Sequence, residues 1–164
     1  MNKNSAIVLL NFFNNSTYPQ QWESKKEFYI EMKTKEPLPL LVVGEASDDL
    51  KDSFNIISPD PLNGLIALRK KLEENRIERI VIPISSMEFP TLRFLASKVF
   101  GDISNIELVP VINEFQNYVY KEMVIEQSER MLPLIPLLDK IPDGDLRKLE
   151  AHLKKNPLPG KIWW

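Results

Sequence analysis

The sequence predicts a doubly wound α/β fold, with a mostly parallel five-stranded sheet and a Pro-rich C-terminal helical tail. Short β-branched apolar runs alternate along the chain with longer amphipathic stretches, an order that is typical of βαβ units. Several of the short runs are apolar without alternation, which indicates strands that are buried on both faces. The chain has 164 residues, of which 43% are hydrophobic, so it is long enough to form the core of one ordinary domain.

Five apolar runs are predicted to be strands. The first follows a short polar N-terminus and loosely imitates a signal peptide, but Asn11 interrupts its apolar stretch, so a buried strand is the better interpretation. The last contains Pro110, which indicates a sheet edge or a β-bulge. The predicted strands are Ile7–Phe13, Leu40–Gly44, Phe54–Ser58, Arg79–Ile84 and Ile106–Ile112.

Three helices are predicted between these strands. The first covers Trp22–Lys33, where the run 28–30 leaves a strand as the alternative. The second begins at Pro61, a residue that suits the first helical position, and extends to about Asn75. The third follows a capping-box pattern at residues 85–88 and ends near Phe100, before Gly101.

The C-terminal third is less regular. Residues 113–130 combine strand propensity with helical length and spacing, and we predict a helix there. We place a domain boundary between an α/β sheet domain, residues 1–131, and a Pro-rich extension, residues 132–164, that packs on the domain or on a partner. One helix is predicted in this extension, with Asp143 as its N-cap and with Leu146, Leu149 and Leu153 on its apolar face.

Composition excludes several classes of function. The net charge is −2 and the basic residues are not segregated, so we do not expect a nucleic-acid binder. The absence of cysteine excludes disulfides, thiolate zinc sites, iron–sulfur clusters and cysteine nucleophiles. His152 is the single histidine, which argues against a histidine metal site. We expect a cytoplasmic protein with no cofactor and no metal. We also expect no membrane span, because the apolar runs are short.

A ligand of an open parallel sheet binds outside the carboxyl ends of the strands, so the residues after the first strand are candidates. Asn14, Asn15, Ser16 and Thr17 supply hydrogen-bond donors for a small anion or a base. No glycine precedes Gly44, which excludes the glycine-rich dinucleotide fingerprint and the P-loop. A hydrogen-bonded surface loop is the alternative interpretation.

Two further strand ends carry candidates for the same site. Glu45 directly follows the second strand, where an acidic group can accept from ribose hydroxyls; a solvated surface acid is the alternative. Ser85 and Ser86 follow the fourth strand and, with helix amides, can hold an anion. The alternative for these serines is that they only cap the next helix.

The aromatic residues near both termini have two interpretations each. Phe12, Trp22 and Tyr29 lie in an aromatic-rich segment with Lys25 and nearby lysines, a pattern that fits a base-stacking surface or, as we favour, the core. The terminal pair, Trp163 and Trp164, is costly to expose, so we expect it to dock on the chain's own sheet or on a partner.

The leading functional hypothesis is a non-catalytic Rossmann-like or flavodoxin-like domain, a sensor or accessory subunit that binds a small anionic or nucleotide-type ligand. We expect it to form a homo-oligomer or to join a protein partner. The first alternative is an assembly module that docks through the Pro-rich tail. The second is a hydrolase or transferase with Glu45, Asp48 or Glu88 as general base.

Overall fold

The computed structural model describes residues 4–11, 19–44, 50, 53–56, 61–85, 89–112 and 134–157. The chain divides into two compact units: Met1–Ser86 with Ser104–Asn113, and Met87–Ile103 with Glu114–Trp164. The elements within the described residues are β1 (Ser5–Asn11), α1 (Pro19–Lys35), β2 (Leu40–Gly44), β3 (Phe54–Ile56), α2 (Pro61–Glu74), β4 (Arg79–Ser85), α3 (Phe89–Phe100), β5 (Ile106–Ile112), α4 (Leu134–Asp139) and α5 (Leu146–Lys155).

The first unit contains a five-stranded sheet of order β3-β2-β1-β4-β5. Every neighbouring pair of strands is parallel, which confirms the predicted doubly wound α/β fold. The chain builds the sheet outward from β1 through β2 to β3, and then continues on the other side of β1 with β4 and β5. The order therefore reverses between β1 and β4, the switch point of the sheet.

Both faces of the central strands are buried. Trp22 of α1 packs in one apolar cluster with Ile7 and Leu9 of β1 and with Leu40 and Val42 of β2. The residues that alternate with these in both strands are also buried, and α2 contacts β2 and β3. Because the crossovers of parallel sheets are right-handed, the reversal of strand order puts α1 and α2 on opposite faces.

The edge position of β5 agrees with the proline that it contains. Its pairing with β4 runs regularly to Ile84↔Pro110 and then shifts to Ser85↔Ile112. One residue of β5 is thus extra relative to β4, as in a β-bulge. Both features predicted from Pro110, the edge and the irregularity, are confirmed.

Some element ends differ from those predicted. Helix α1 begins at Pro19, earlier than predicted, because proline is favoured at the first helical position. Residues 28–30 are helical, so the strand alternative is wrong. Strand β1 begins at Ser5, also earlier than predicted. The predicted ends of the first and third strands, and the predicted helix at 113–130, lie outside the described residues.

In the second unit, α3 is joined to the segment before α5 by backbone and side-chain contacts. The Nζ of Lys98 donates to the Ile141 carbonyl over 2.8 Å and lies 3.0 Å from Oδ1 of Asp143. The N–H of Gly144 donates to the Lys98 carbonyl. A Cβ on Gly101 would lie 3.1 Å from the Gly144 Cα, so these two backbones approach closely.

Two predictions for the C-terminal extension are wrong. The extension contains two helices, α4 and α5, rather than one; Pro136 is accommodated in the first turn of α4, where a missing N–H costs little. The N-cap of α5 is Asp145, whose side chain accepts a hydrogen bond from the Lys148 N–H. Asp143 does not take this role because it precedes the helix by too many residues and pairs with Lys98 instead.

No helix among the described residues is long and apolar enough to cross a membrane.

Candidate functional site

The candidate site lies at the carboxyl ends of the central strands, on both sides of the switch point. The ladder between β1 and β4 runs from Ser5↔Arg79 to Ile7↔Val81. Both strands continue beyond this ladder, β1 to Asn11 and β4 to Ser85. Within the described residues, the ladder thus joins the amino-terminal halves of the two strands; doubly wound sheets as a class bind ligands in a crevice at the carboxyl ends of the strands beside the switch point.

A lysine of α1 lies against the carboxyl end of β1. Lys25 is 1% exposed, and its Nζ donates to the Leu10 carbonyl over 2.9 Å. Fully buried lysines are rare in proteins, and burial of a charge is costly unless it is hydrogen-bonded or paired. The carbonyl of Leu10 therefore stabilises a cationic side chain at the end of the central strand.

The register shows on which side of β1 this contact is made. The N–H of Ile7 donates to the Pro39 carbonyl, just before β2, so the main-chain groups of Ile7 point toward β2. Peptide groups along a strand alternate between its two neighbours, and Leu10 is an odd number of residues from Ile7. The Leu10 carbonyl consequently points toward β4, where its hydrogen bond to Lys25 places Nζ beside the crevice.

Trp22 lies one turn before Lys25 on the same side of α1. Residues three apart on a helix share a face. The Trp22 side chain is 5% exposed, and its Nε1 has no hydrogen-bond partner among the described residues. A buried indole N–H usually donates to an acceptor, so the Nε1 of Trp22 is an unsatisfied donor among the described residues.

Close backbone contact also joins the carboxyl ends of β1 and β2. Gly44 ends β2 and pairs with Asn11, the last residue of β1. Its φ is +105°, and a Cβ built there would lie 2.3 Å from the Asn11 carbonyl oxygen. Only glycine fits this position without displacing the backbone, so the glycine allows the ends of β1 and β2 to lie side by side.

Helix α1 is well placed to present these groups to the switch point. It contacts β1, β4 and β5, and its amino end follows β1 in the chain. The neighbouring Lys26 is different from Lys25 because it pairs with Glu23 at 2.9 Å in a local, i to i+3 ion pair on the helix surface. The two lysines are thus adjacent in sequence but differ in environment.

Cationic and N–H donor groups make this edge suited to an anion or to a polarised oxygen. Lys25 offers charge, Trp22 offers a neutral donor, and the amino end of a helix favours negative charge nearby. Among the described residues, no group of three histidine, aspartate or glutamate side chains is arranged to hold a metal ion. The described groups at this edge are therefore cationic or N–H donors rather than metal ligands.

The sequence-predicted site is described only in part. Ser85 is the last residue of β4, at the carboxyl edge as predicted. The remaining predicted residues lie outside the described residues; they are Asn14, Asn15, Ser16, Thr17, Glu45 and Ser86 at the site, and Trp163 and Trp164 in the tail. Sequence reasoning missed Lys25 as a site residue. The available signal was its position in the stripe formed with Trp22, Tyr29 and Met32, three to four residues apart.

Comparisons with protein-family models, with curated proteins and with solved structures found no significant match to this chain.

Proposed function

We propose that this protein is a non-catalytic domain that binds a small anionic or nucleotide-type ligand at the carboxyl ends of β1 and β4. The observation that carries the proposal is the buried Lys25, whose Nζ lies 2.9 Å from the Leu10 carbonyl on the side of β1 that faces β4. A phosphate or carboxylate in the crevice would gain charge-assisted hydrogen bonds from this lysine.

The fold supports the same position by an independent argument. In doubly wound sheets, ligands bind where the strand order reverses, and here that reversal falls between β1 and β4. The Trp22 indole N–H, one helical turn before Lys25, is a second donor that has no partner among the described residues. With no glycine-rich turn after β1, the ligand's anionic group would be held mainly by side chains rather than by a phosphate-binding loop.

The proposal is tested by thermal unfolding with nucleotides, cyclic nucleotides, phosphate and sulfate. A ligand at about 100 times its Kd stabilises a protein by about 2.7 kcal/mol, which raises the Tm of a chain of this size by roughly 5–10 °C. We expect such a shift in the wild type and its loss in Lys25→Met, each measured against that variant's own ligand-free Tm. Lys26→Met is the matched control, since it removes the same charge from the next residue of the same helix.

Three results would contradict the proposal. A panel without any shift would exclude the proposed ligand classes. A shift that persists in Lys25→Met would mean that this lysine does not bind the ligand. Equal loss in both lysine variants would mean that the general charge of α1, and not the crevice, attracts the ligand.

The assembly alternative remains a prediction, because Trp163 and Trp164 lie outside the described residues. Deletion of residues 158–164 separates it from ligand binding. Under our proposal the deleted chain retains the ligand-induced rise in Tm. Loss of self-association in sedimentation, with the folded monomer retained, would support docking through the tail.

A further inference from the structure

A cavity lies at the opposite, amino-terminal edge of the sheet. Its volume is about 490 Å³, within the range of about 300–1,000 Å³ that is common for small-molecule sites. The turn after α1, the turn after α2 and the first residues of β1 form its walls. Its lining includes the polar side chains of Glu36, Asn4 and Asn75 and the apolar side chains of Leu38, Leu41 and Phe54.

The main chain around this cavity is held by hydrogen bonds. The Asn4 carbonyl accepts from the N–H groups of Glu78 and Arg79, over 2.8 and 3.2 Å. The Leu38 N–H donates to the Glu36 carbonyl over 2.9 Å. Prolines at 37 and 39 restrict the backbone of the same turn. The cavity is therefore largely formed before any ligand binds, which reduces the entropy that binding would cost.

The two carboxamides of the lining are oriented by contacts to the main chain. The Asn4 Nδ2 donates to the Arg76 carbonyl over 3.1 Å, and the Asn75 Nδ2 donates to the Lys71 carbonyl over 2.8 Å. With each nitrogen engaged in this way, the oxygen of each amide is the group left to accept hydrogen bonds. Each asparagine thus keeps its amide oxygen as an acceptor and one further N–H as a donor.

The charge of the cavity favours a cation. Glu36 is the ionisable residue of the lining, and among the described residues its carboxylate makes no ion pair. The ring of Phe54, which also lines the cavity, already has the Lys71 Nζ 5.3 Å from its centroid, so we count this ring as part of the apolar floor and not as a cation-binding group. A carboxylate, two amide oxygens and an apolar floor are complementary to a donor-rich cation with a short hydrocarbon body.

We propose that this amino-edge cavity, between Glu36, Asn4 and Asn75, binds a small organic cation that carries a primary ammonium or guanidinium group. Such a ligand would donate to the Glu36 carboxylate and to the amide oxygens while its carbon chain covers Leu38 and Leu41. The site is independent of the anion site proposed above, from which it differs in charge preference and in the edge of the sheet that forms it.

The test is a ¹H–¹⁵N NMR titration of the full chain with agmatine, an alkyl amine with a guanidinium group. We expect agmatine at millimolar concentrations to shift the amide signals of Leu38, Leu41 and Ile77 and the side-chain NH₂ signals of the two asparagines. Glutarate, an anion of similar length, should leave these signals unchanged. Rising salt should weaken agmatine binding, since the contact depends on charge.

Glu36→Gln removes the charge with little change of shape, and should weaken agmatine binding about tenfold or more. Glu78→Gln is the matched control, because Glu78 is a nearby exposed glutamate that does not line the cavity. Lys25→Met should bind agmatine like the wild type, so failure of the anion site would leave this result intact.

The proposal would be overturned if agmatine shifted no signals of the cavity in the wild-type protein. This result does not depend on whether any variant folds. It would also be overturned if Glu36→Gln bound as tightly as the wild type, or if both glutamate variants weakened binding equally.

Discussion

Replacement of Gly44 by alanine should destabilise the sheet at the candidate anion site. Gly44 has a φ of +105°, and a Cβ there would lie 2.3 Å from the backbone oxygen of Asn11. Left-handed backbone costs an L-residue about 1–2 kcal/mol. Relief of the clash requires the Asn11 carbonyl to move by several tenths of an ångström, which weakens strand hydrogen bonds that contribute about 1–3 kcal/mol.

The two effects together predict a loss of about 2–5 kcal/mol in the free energy of unfolding, or a fall in Tm of roughly 5–20 °C. Urea denaturation, followed by circular dichroism, measures this change in the free energy of unfolding. An unchanged m-value would show that the surface exposed on unfolding is the same in the variant and the wild type. Gly101→Ala is the control: φ there is +74°, but the nearest contact of a Cβ is 3.1 Å, so strain without severe overlap is expected. We would reject this explanation if Gly44→Ala lowered the free energy of unfolding no more than Gly101→Ala does.

The second unit gives two further predictions, both measured by denaturant unfolding. Lys98→Ala should lower the free energy of unfolding by about 1–3 kcal/mol, because it leaves the buried Ile141 carbonyl without its donor. Asp143→Asn should lower it by less than about 1 kcal/mol, because Asp143 is 55% exposed. Equal costs would contradict this distinction. Asp145→Ala should lower the free energy of unfolding by about 1 kcal/mol, because it removes the N-cap of α5. An unchanged free energy of unfolding would mean that another residue caps this helix.

The strands were the part of the fold most accessible from sequence. The run 40–44 is apolar without alternation, which occurs when both faces are covered, and β2 is indeed buried throughout. The same reasoning placed β4, and Pro110 indicated the edge position of β5. Parallel pairing then followed from the alternation of strands and helices, because the connections of parallel strands need crossovers.

The details that sequence did not predict depend on residues far apart in the chain. Asp143 and Asp145 are equivalent candidates for a helix cap in sequence, and the choice is decided by Lys98, which pairs with the first of them. Lys25 was treated with its neighbouring lysines as one group, since nothing local indicates that its Nζ meets the Leu10 carbonyl. The amino-edge cavity is similarly formed by two separate turns, which no local pattern could bring together.

The central claim is that an anionic ligand binds between the carboxyl ends of β1 and β4, beside Lys25. The most direct measurement is a ¹H–¹⁵N NMR titration of the wild-type chain with the nucleotide or anion that raises Tm most. We predict that the largest shifts fall on the backbone amides of Asn11, Gly44 and Ser85. Shifts centred instead on the amino edge, at Asn4, or the absence of any binding compound in the panel, would contradict the claim.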